Sequence, residues 1–431
     1  MKIKIEKLVN KGYGLGFSDS TPVFVPFTVP NDIITAKINF KKGKVIFAKI
    51  DEILQKSEHR IEPNCEVFAK CGGCDWLNIS YENQLKYKNE VLKEIFHKVE
   101  IVPNICASPQ NFNYRNKCFY PVSTDGQIGM YEKLTHDVIT HNDCKIQPSF
   151  FDELIVTFKD YLQKSKIKIY DEKTGKGNIR YFGIRHSKVT NEILIILVTK
   201  NRKMPFTNLL VKKLCEKFPN IVGVIQNINS KKSNVILGRE YKVLFGQNYL
   251  NEQIGDVKFR LNYNSFFQVN IATAELMYDF VKQNVRAGSN VIDAYCGVGS
   301  IGIFLADKIE QLFGIEMDKN AVLDAKYNAK INGLKNSQFY CANVENKILD
   351  LVSSENVDTI IFDPPRKGLD ESFRKNIPHK IKKIIYVSCN PVTQMRDFKD
   401  LQNDGFKITK MQAFDMFPQT YHIENVAILE R

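Results

Sequence analysis

The C-terminal part of the chain is predicted to adopt an α/β fold, an open, mostly parallel, doubly wound sheet. Apolar segments alternate there with stretches of helical spacing, at 290–294, 311–315, 338–341, 358–362, 383–387 and 425–430. Such alternation is typical of βα units, whose helices cover both faces of a parallel sheet. Three of these segments run directly into polar or glycine-rich loops, at 295–302, 363–366 and 388–391. We expect these loops to meet at the carboxyl edge of the sheet, where such folds bind ligands.

Length and charge limit the class of protein to which the chain belongs. Its 431 residues predict two or three domains. The 61 Lys and Arg residues exceed the 48 Asp and Glu residues, and a net charge of +13 favours a polyanionic partner such as nucleic acid. No apolar run is long enough to span a membrane, and the N-terminus alternates charged and apolar residues like a strand, unlike a signal peptide. We expect a cytoplasmic monomer that does not bind membranes.

Residues 1–56 are predicted to form a small all-β unit. Short strands at 3–8, 23–26, 33–38 and 44–50 surround a glycine-rich turn at 11–17. Their spacing suits a closed five-stranded barrel of OB-like size, a shape often used to bind RNA. A basic face, or equally a solvated strand edge, is indicated by Lys41, Lys42, Lys44 and Lys49.

Residues 57–259 are predicted to form a mixed α+β central domain, part of which packs with the C-terminal sheet. Helical spacing covers about 80–99, and apolar strands occur at 179–185, 192–198 and 222–228. The domain opens with clustered cysteines, Cys65, Cys71 and Cys74, and Cys144 offers a fourth thiol. Glycines between thiols let the backbone wrap around a metal, and four thiolates suit zinc or a [4Fe–4S] cluster. The five-residue gap after Cys65 favours iron–sulfur over zinc.

The loop after the first strand of the C-terminal sheet has the form GxGxxG, at 297–302. A carboxylate, Glu316, follows about 20 residues later at the end of the second strand, suited to ribose hydroxyls. Both features fit NAD, FAD or S-adenosylmethionine. The remaining strand ends favour a methyltransferase acting on a base, because a dehydrogenase needs neither Asp363-Pro364-Pro365 nor the thiol of Cys389.

Cys389 and Arg366, the residue after the two prolines, indicate which base is methylated. Enzymes that methylate exocyclic amines commonly place an aromatic residue where this chain has Arg366. RNA cytosine-C5 enzymes commonly carry a second cysteine there, so a single strand-end cysteine fits uracil C5. Uracil C5 attacks a sulfonium methyl only after a thiolate adds at C6, and a base must then remove the C5 proton. We predict Cys389 as the nucleophile and Glu424 as the base, with the uridine flipped out of its stack.

Together, these segments resemble the RNA uracil-C5 methyltransferase family, in its iron–sulfur-containing ribosomal branch. The resemblance covers nearly the whole chain and includes 11–14, 25–30, the four cysteines, 266–270 and 114–117. It implies an N-terminal TRAM domain, a [4Fe–4S] cluster on Cys65, Cys71, Cys74 and Cys144, and a Rossmann-like class I domain for S-adenosylmethionine. The implied cofactor site consists of Gln268, Tyr295, Gly297, Gly299, Glu316, Asn343 and Asp363. Asn343 departs from the acidic residue usual in the family, and Asn31 replaces a common glycine.

The resemblance predicts domains at 1–56, 57–259 and 260–431 and an enzyme that makes 5-methyluridine in 23S ribosomal RNA. A transfer RNA uridine is the alternative within the family. A non-catalytic RNA-binding assembly factor is the alternative outside it. The intact Cys389 and Glu424 argue against the assembly factor. The segment 114–117 is expected to lie near the RNA.

Overall fold

A computed structural model describes residues 1–133 and 135–431. The N-terminal sheet has the strand order β1-β5-β6-β4-β3-β2. Its strands are β1 Lys2–Lys4, β2 Lys7–Leu8, β3 Tyr13–Ser18, β4 Thr21–Pro26, β5 Ile33–Lys42 and β6 Val45–Gln55. Neighbouring strands are antiparallel except β4 and β6, which run parallel. Alternate side chains, including those of Ile3, Val25 and Ile34, form its buried core.

The segment 11–17, predicted to be a turn, is instead a 3-10 turn at Asn10–Gly12 followed by strand β3. The predicted turn is confirmed for residues 11 and 12 and was wrong for 13–17, where Gly14 and Gly16 serve close packing within a strand. A Cβ at Gly14 would lie 2.0 Å from Thr28 Oγ1, and one at Gly16 would lie 2.4 Å from Ile3 Cγ2. Glycine in a strand marks such close approaches.

The chain then passes through the cysteine-rich loop and packs on the C-terminal sheet. Helix α1 spans Tyr81–Ile95, as its spacing predicted, and begins at Ser80, whose hydroxyl accepts from the Asn83 N–H. Helix α1 contacts the last helix of the chain, and strand β7, Ile105–Cys106, joins the edge of the C-terminal sheet. This part of the predicted central domain therefore packs on the C-terminal sheet.

The central sheet has the order β14-β13-β12-β11-β8, and the predicted strands within it are confirmed. Its elements are β8 Lys117–Pro121, β9 Met130–Tyr131, β10 Val138–Ile139, α2 Phe150–Ser165, β11 Ile179–His186, β12 Ile193–Thr199, α3 Thr207–Lys217, β13 Ile221–Ile228 and β14 Glu240–Gly246. Strands β9 and β10 form a separate hairpin. Helices α2 and α3 cover one face with apolar side chains such as Phe158 and Leu214.

A hairpin of β15 Tyr249–Ile254 and β16 Val257–Asn262 leads into the C-terminal sheet. That sheet has the order β19-β18-β17-β20-β21-β23-β22-β7. The remaining elements are α4 Ile271–Asn284, β17 Asn290–Ala294, α5 Ser300–Phe304, β18 Gln311–Glu316, α6 Lys319–Ile331, β19 Ser337–Cys341, α7 Val344–Ser354, β20 Thr359–Phe362, α8 Glu371–Arg374, β21 Lys383–Ser388, α9 Pro391–Asn403, β22 Lys407–Phe414 and β23 Glu424–Glu430. Strands β17 to β21 are parallel to their neighbours, as predicted, whereas β23 is antiparallel to β21 and β22.

Two further features concern domain limits and membranes. The hairpin β15–β16 contacts helices α4, α5 and α6 as well as strands β12 and β13 of the central sheet, so the predicted boundary at residue 260 falls within an element that packs on both parts. Within the described part of the chain, no helix is both long enough and apolar enough to cross a membrane.

Candidate active site

The carboxyl edge of the C-terminal sheet brings most of the predicted site residues together. Strands β17, β18, β20 and β21 end just before or at Tyr295, Glu316, Asp363 and Cys389, respectively. Because these strands are parallel, their ends share one edge of the sheet. Strand β23 runs in the opposite direction and pairs Asn425 with Ser388, so Glu424 at its start also reaches this edge.

The glycine loop is held by carboxylates from two neighbouring strands. Asp293 Oδ2 accepts a hydrogen bond from the Gly302 N–H at 2.9 Å, and Glu316 Oε2 accepts one from the Gly297 N–H at 3.2 Å. Gly297 and Gly299 have φ angles of 54° and 80°, in the left-handed region that favours glycine. The loop conformation therefore depends on the glycines and on both acidic residues.

Three predicted cofactor residues, Tyr295, Glu316 and Asn343, lie at or just beyond the ends of β17, β18 and β19. Glu316 Oε1 also accepts from the N–H groups of Met317 and Asp318, at 2.7 and 2.9 Å. Tyr295 has a φ of 62°, and its hydroxyl donates to Glu345 Oε1 at 2.8 Å. Asn343 is exposed and caps α7, because its Oδ1 accepts from the Asn346 N–H at 3.0 Å.

Gln268 lies in the loop before α4 and is buried. Its carbonyl oxygen accepts from Asn116 Nδ2 at 3.2 Å, and the carbonyl of Val269 accepts from the Asn116 N–H at 3.1 Å. The segment 114–117 is therefore attached to the strand-to-helix loop that carries Gln268.

Cys389 lies between β21 and α9 and is partly exposed. Burial raises the pKa of the Cys389 thiol to about 11, and the charge of Glu424 adds to this increase, whereas the Arg366 guanidinium opposes it. A neutral thiol is therefore the resting form, and forming the nucleophilic thiolate requires that its proton be taken up elsewhere.

The two carboxyl groups beside Cys389 also have raised pKa values. Burial, together with the nearby charge of Asp363, raises the pKa of Glu424 well above its usual range, and Arg366 opposes the increase. Burial raises the pKa of Asp363 to about 7. Perturbed titratable groups close together in a cleft are a mark of functional sites. Glu424 is thus a carboxyl group that readily holds a proton.

A pocket of about 130 Å³ adjoins Cys389. Besides Asn390, its polar lining comes from the turn before β3, the loop after β20 and the loop before β23: Asn10, Lys11, Arg366, Tyr421 and His422. Burial and the surrounding cations lower the pKa of His422 to about 4, so its ring is neutral. Sequence patterns predict no role for Asn10 or His422, because a contact between domains places Asn10 beside Cys389 and the pairing of β23 with β21 places His422 there.

The four predicted cluster cysteines line one cavity with His141. Gly73 N–H donates to Cys71 Sγ at 3.4 Å, and a Cβ at Gly72 would lie 2.8 Å from the Tyr131 carbonyl oxygen. Within residues 1–133 and 135–431, no three Cys, His, Asp or Glu side chains are placed closely enough to hold a metal ion. The thiols therefore converge on one cavity without forming a closed coordination shell. His141 was missed because a single histidine before Cys144 is a weak signal.

Comparison with known proteins identifies the family. Residues 80–431 match the family model described as tRNA (Uracil-5-)-methyltransferase. The chain belongs to this family. Curated relatives include uncharacterized RNA methyltransferases of Halalkalibacterium halodurans, 35% identical over 100% of this chain and 96% of the relative, and of Oceanobacillus iheyensis, 37% identical over 99% and 95%.

A solved structure supports the same assignment. The tRNA (uracil-54, C5)-methyltransferase of Pyrococcus abyssi, in complex with S-adenosyl-L-homocysteine, aligns over 100% of both chains with a TM-score of 0.82 and 29% identity. The predicted methyltransferase fold and family membership are confirmed. The chain is an S-adenosylmethionine-dependent RNA methyltransferase of the uracil-5 type.

The structure also shows an acidic residue that the sequence reasoning overlooked. Asp293 lies within the first apolar strand of the sheet, and its carboxylate holds the glycine loop through the Gly302 N–H. It is 1% exposed, and burial raises its pKa to about 7. An acidic residue inside an apolar strand, just before a glycine loop, was the signal that could have identified it.

Proposed function

We propose that this enzyme methylates C5 of a uridine in 23S ribosomal RNA, with Cys389 as nucleophile and Glu424 as base. The observation that carries this proposal is the pairing of β21 with β23, which places a thiol and a buried carboxyl group at the same strand edge. Asp363 and Arg366 act electrostatically on both groups. The arrangement supplies the nucleophile and the proton acceptor that uracil C5 chemistry requires.

In the proposed reaction, the Cys389 thiol gives up its proton to solvent as its sulfur bonds to C6 of the flipped uracil, and the C5–C6 π electrons move to give an enolate, with Glu424 still in its carboxylate form. S-adenosylmethionine, when bound, supplies the methyl group to C5 as an electrophilic sulfonium. Glu424 then takes the C5 proton, and the electrons of the C5–H bond restore the double bond as the bond from C6 to Cys389 breaks. The raised pKa of Glu424 favours its holding that proton. Arg366 stabilises the anionic groups beside it.

Seven residues are proposed to hold S-adenosylmethionine. Glu316 is already bonded to the glycine loop and would accept from ribose hydroxyls, as an acidic residue at this strand end does in nucleotide-binding folds. Asp363 would face the positive sulfonium. The full set is Gln268, Tyr295, Gly297, Gly299, Glu316, Asn343 and Asp363.

Two RNA substrates are consistent with the fold. An N-terminal RNA-binding barrel of the TRAM type at 1–56, and a cluster in 57–259 before the catalytic part at 260–431, support 23S RNA, because bacterial tRNA enzymes of the family usually lack both. The Pyrococcus abyssi enzyme acts on tRNA and aligns over its whole length. Transfer RNA is therefore the second candidate.

We also propose that Cys65, Cys71, Cys74 and Cys144 hold a [4Fe–4S] cluster. The four thiols line one cavity, and Gly72 leaves room for the backbone to turn closely there. Four thiolates suit such a cluster, with zinc as the alternative. When bound, the cluster would tie together the segments carrying Cys74 and Cys144. A structural and RNA-positioning role is expected, because the cavity has no catalytic residue in its lining.

The decisive experiment compares methyl transfer from labelled S-adenosylmethionine to 23S RNA and tRNA transcripts. Wild type, Cys389→Ala and Glu424→Gln are tested, with Cys215→Ala as a matched control in helix α3. We expect Cys389→Ala to abolish transfer and Cys215→Ala to retain it. Glu424→Gln should accumulate an RNA adduct that survives denaturation, because its C5 proton is not removed.

Mapping the methylated nucleotide then decides between substrates. Methyl transfer to 23S RNA alone would support the proposed substrate. Methyl transfer to tRNA alone would show that the substrate is tRNA and not 23S RNA. Full activity of Cys389→Ala would refute the proposed nucleophile. No transfer by wild type to either RNA would favour the RNA-binding assembly factor.

A further inference from the structure

The outward face of the N-terminal sheet carries a row of aromatic rings across four strands. Side chains alternate along these strands, so that Val23, Val25 and Ile46 enter the core and their neighbours point outward. The outward positions are occupied by Tyr13 of β3, Phe24 of β4, Phe47 of β6 and Phe40 of β5. The outer face of such a sheet is ordinarily polar, so an aromatic row there requires an explanation.

The strand register brings these four rings into contact. Phe24 pairs directly with Phe47, and a bulge after Ile38 pairs Phe40 with Phe47. The Phe40 and Phe47 rings are stacked, with centroids 4.7 Å apart and an interplanar angle of 14°. Phe24 stacks on Phe47 at 5.4 Å, and Tyr13 meets Phe47 edge-on at 5.7 Å.

The row is open to solvent at the β5 end. Phe40 is 45% exposed, and Tyr13, Phe24 and Phe47 are each partly exposed. A ring whose other face is free presents a flat apolar surface of the kind on which nucleobases stack. This end is therefore suited to a planar ligand.

Positive charge surrounds the open end of the row. Exposed lysines lie at the tip of the β5–β6 hairpin, at Lys41, Lys42 and Lys44, and farther along β6, at Lys49. Lys41 pairs with the core residue Ile46 and lies on the face opposite the rings. Among the described residues these four form no ion pair, whereas Lys37 nearby is paired with Asp51 at 2.5 Å. Unpaired lysines beside aromatic rings suit a nucleic-acid strand as ligand, because its phosphates alternate with its bases.

The other end of the row leads to the pocket beside Cys389. Tyr13 follows Lys11, which lines that pocket, and Gly12 packs so closely on Tyr421 that a Cβ would lie 3.0 Å from its ring. Lys133 Nζ lies 5.4 Å from the Tyr13 ring centroid. A strand of RNA bound along the row would thus be continuous with the pocket at the nucleophile.

We propose that this row, Tyr13, Phe24, Phe47 and Phe40, is a stacking surface for unpaired nucleotides that flank the target uridine. This inference rests on the proposed function for the link to a target uridine. The stacked rings contact bases, and the neighbouring lysines contact phosphates. A single-stranded segment fits because paired bases do not expose their faces.

The test measures binding of a fluorescent oligouridylate of about 12 nucleotides by anisotropy, over a range of salt concentrations. Variants are Phe40→Leu, which removes the π face but keeps an apolar side chain, Phe40→Tyr, which keeps the ring, and Lys44→Gln. Phe206→Leu serves as control, because Phe206 is 63% exposed and lies at the start of α3 in the central domain.

Phe40→Leu is expected to weaken binding roughly five- to 100-fold with an unchanged salt slope, and Phe40→Tyr and Phe206→Leu to bind like wild type. Lys44→Gln should lower the salt slope by about one. Unchanged binding by Phe40→Leu, or equal binding of a duplex, would overturn the stacking surface.

Methyl transfer to the transcripts separates this inference from the proposed function. Transfer by wild type together with unchanged oligonucleotide binding by Phe40→Leu would refute the stacking surface alone. A binding defect in Phe40→Leu, with no transfer by wild type to any RNA, would refute the proposed reaction and leave the stacking surface supported.

Discussion

Glu316 Oε2 accepts a hydrogen bond from the backbone N–H of Gly297, with 3.2 Å between the two atoms. This contact joins the ends of β17 and β18, and it connects two residues that the sequence placed in one cofactor site. The carboxylate has a second oxygen bonded to two further N–H groups, so Glu316 is held in place before any ligand binds. Such preorganisation reduces the free energy cost of ordering a site on binding.

We expect Glu316→Ala to weaken S-adenosylmethionine binding about 10- to 100-fold. It removes ribose acceptors and the bond to Gly297, and bonds to charged groups contribute about 1.5–3 kcal/mol each. Glu316→Gln keeps one acceptor oxygen, so its affinity for S-adenosylmethionine should fall less than that of Glu316→Ala. Calorimetric titration with the cofactor gives both affinities, and a wild-type affinity for Glu316→Ala would contradict the assignment.

The affinity for S-adenosylmethionine should depend on pH through Asp363. Burial raises the pKa of Asp363 to about 7, so the carboxylate that attracts the sulfonium is lost as pH falls through that value. We expect about tenfold weaker binding at about pH 6 than at about pH 8. The affinity for S-adenosylhomocysteine, which lacks the positive sulfonium, should change less with pH, and this comparison also controls for the titration of Asp293. In Asp363→Asn, the affinities for S-adenosylmethionine and S-adenosylhomocysteine should depend on pH to the same extent.

The reactivity of Cys389 should respond in opposite directions to its two charged neighbours. Glu424 raises the pKa of the thiol and Arg366 lowers it. Glu424→Gln should therefore shift the pH profile of Cys389 alkylation to lower pH, and Arg366→Gln should shift it to higher pH. Iodoacetamide labelling read by peptide mass spectrometry measures this, with Cys215 as an internal reference. Equal profiles in all three proteins would show that the groups do not interact.

Removal of the proposed cluster tests its role. Purified anaerobically, wild type should carry about four iron and four sulfide per chain, and Cys71→Ala should lose both. Chelation should lower the urea midpoint of unfolding and weaken RNA binding, because the cluster joins separate segments. About one zinc without sulfide would identify the alternative metal. A metal-free protein with unchanged fold and RNA affinity would refute the structural role.

A buried ion pair fixes helix α1 to the catalytic part of the chain. Lys88 Nζ lies 2.6 Å from Asp415 Oδ1, and both side chains are fully buried. Lys88→Met should lower the free energy of unfolding by about 3–5 kcal/mol, because it leaves a buried carboxylate unpaired. Fluorescence of Trp76, the single tryptophan, follows urea unfolding near this pair. The double variant Lys88→Met, Asp415→Leu should regain stability. If the single and the double variant lost the same free energy of unfolding, the unpaired carboxylate would not be the cause.

Local sequence patterns were sufficient to predict the parallel strands of the C-terminal sheet. The segments at 290–294 and 383–387 are largely apolar because both faces of a parallel sheet are covered. The loops that follow them carry their glycines, carboxylates and thiol in short sequence neighbourhoods, so a strand end and its chemistry could be predicted together.

Sequence alone also determined the family, through residues whose types are restricted by chemistry, such as Cys389 and the glycine loop. Only the tertiary structure decided which distant residues join them. Strand β22 was not predicted, since its exposed and buried positions do not alternate cleanly. The pairing of β23 with β21, the buried contact of Lys88 with Asp415 and the aromatic row across β3 to β6 depend on strand order and register. Strand order and register are set by the total apolar surface buried across whole faces of a sheet, and no short segment of sequence contains that information.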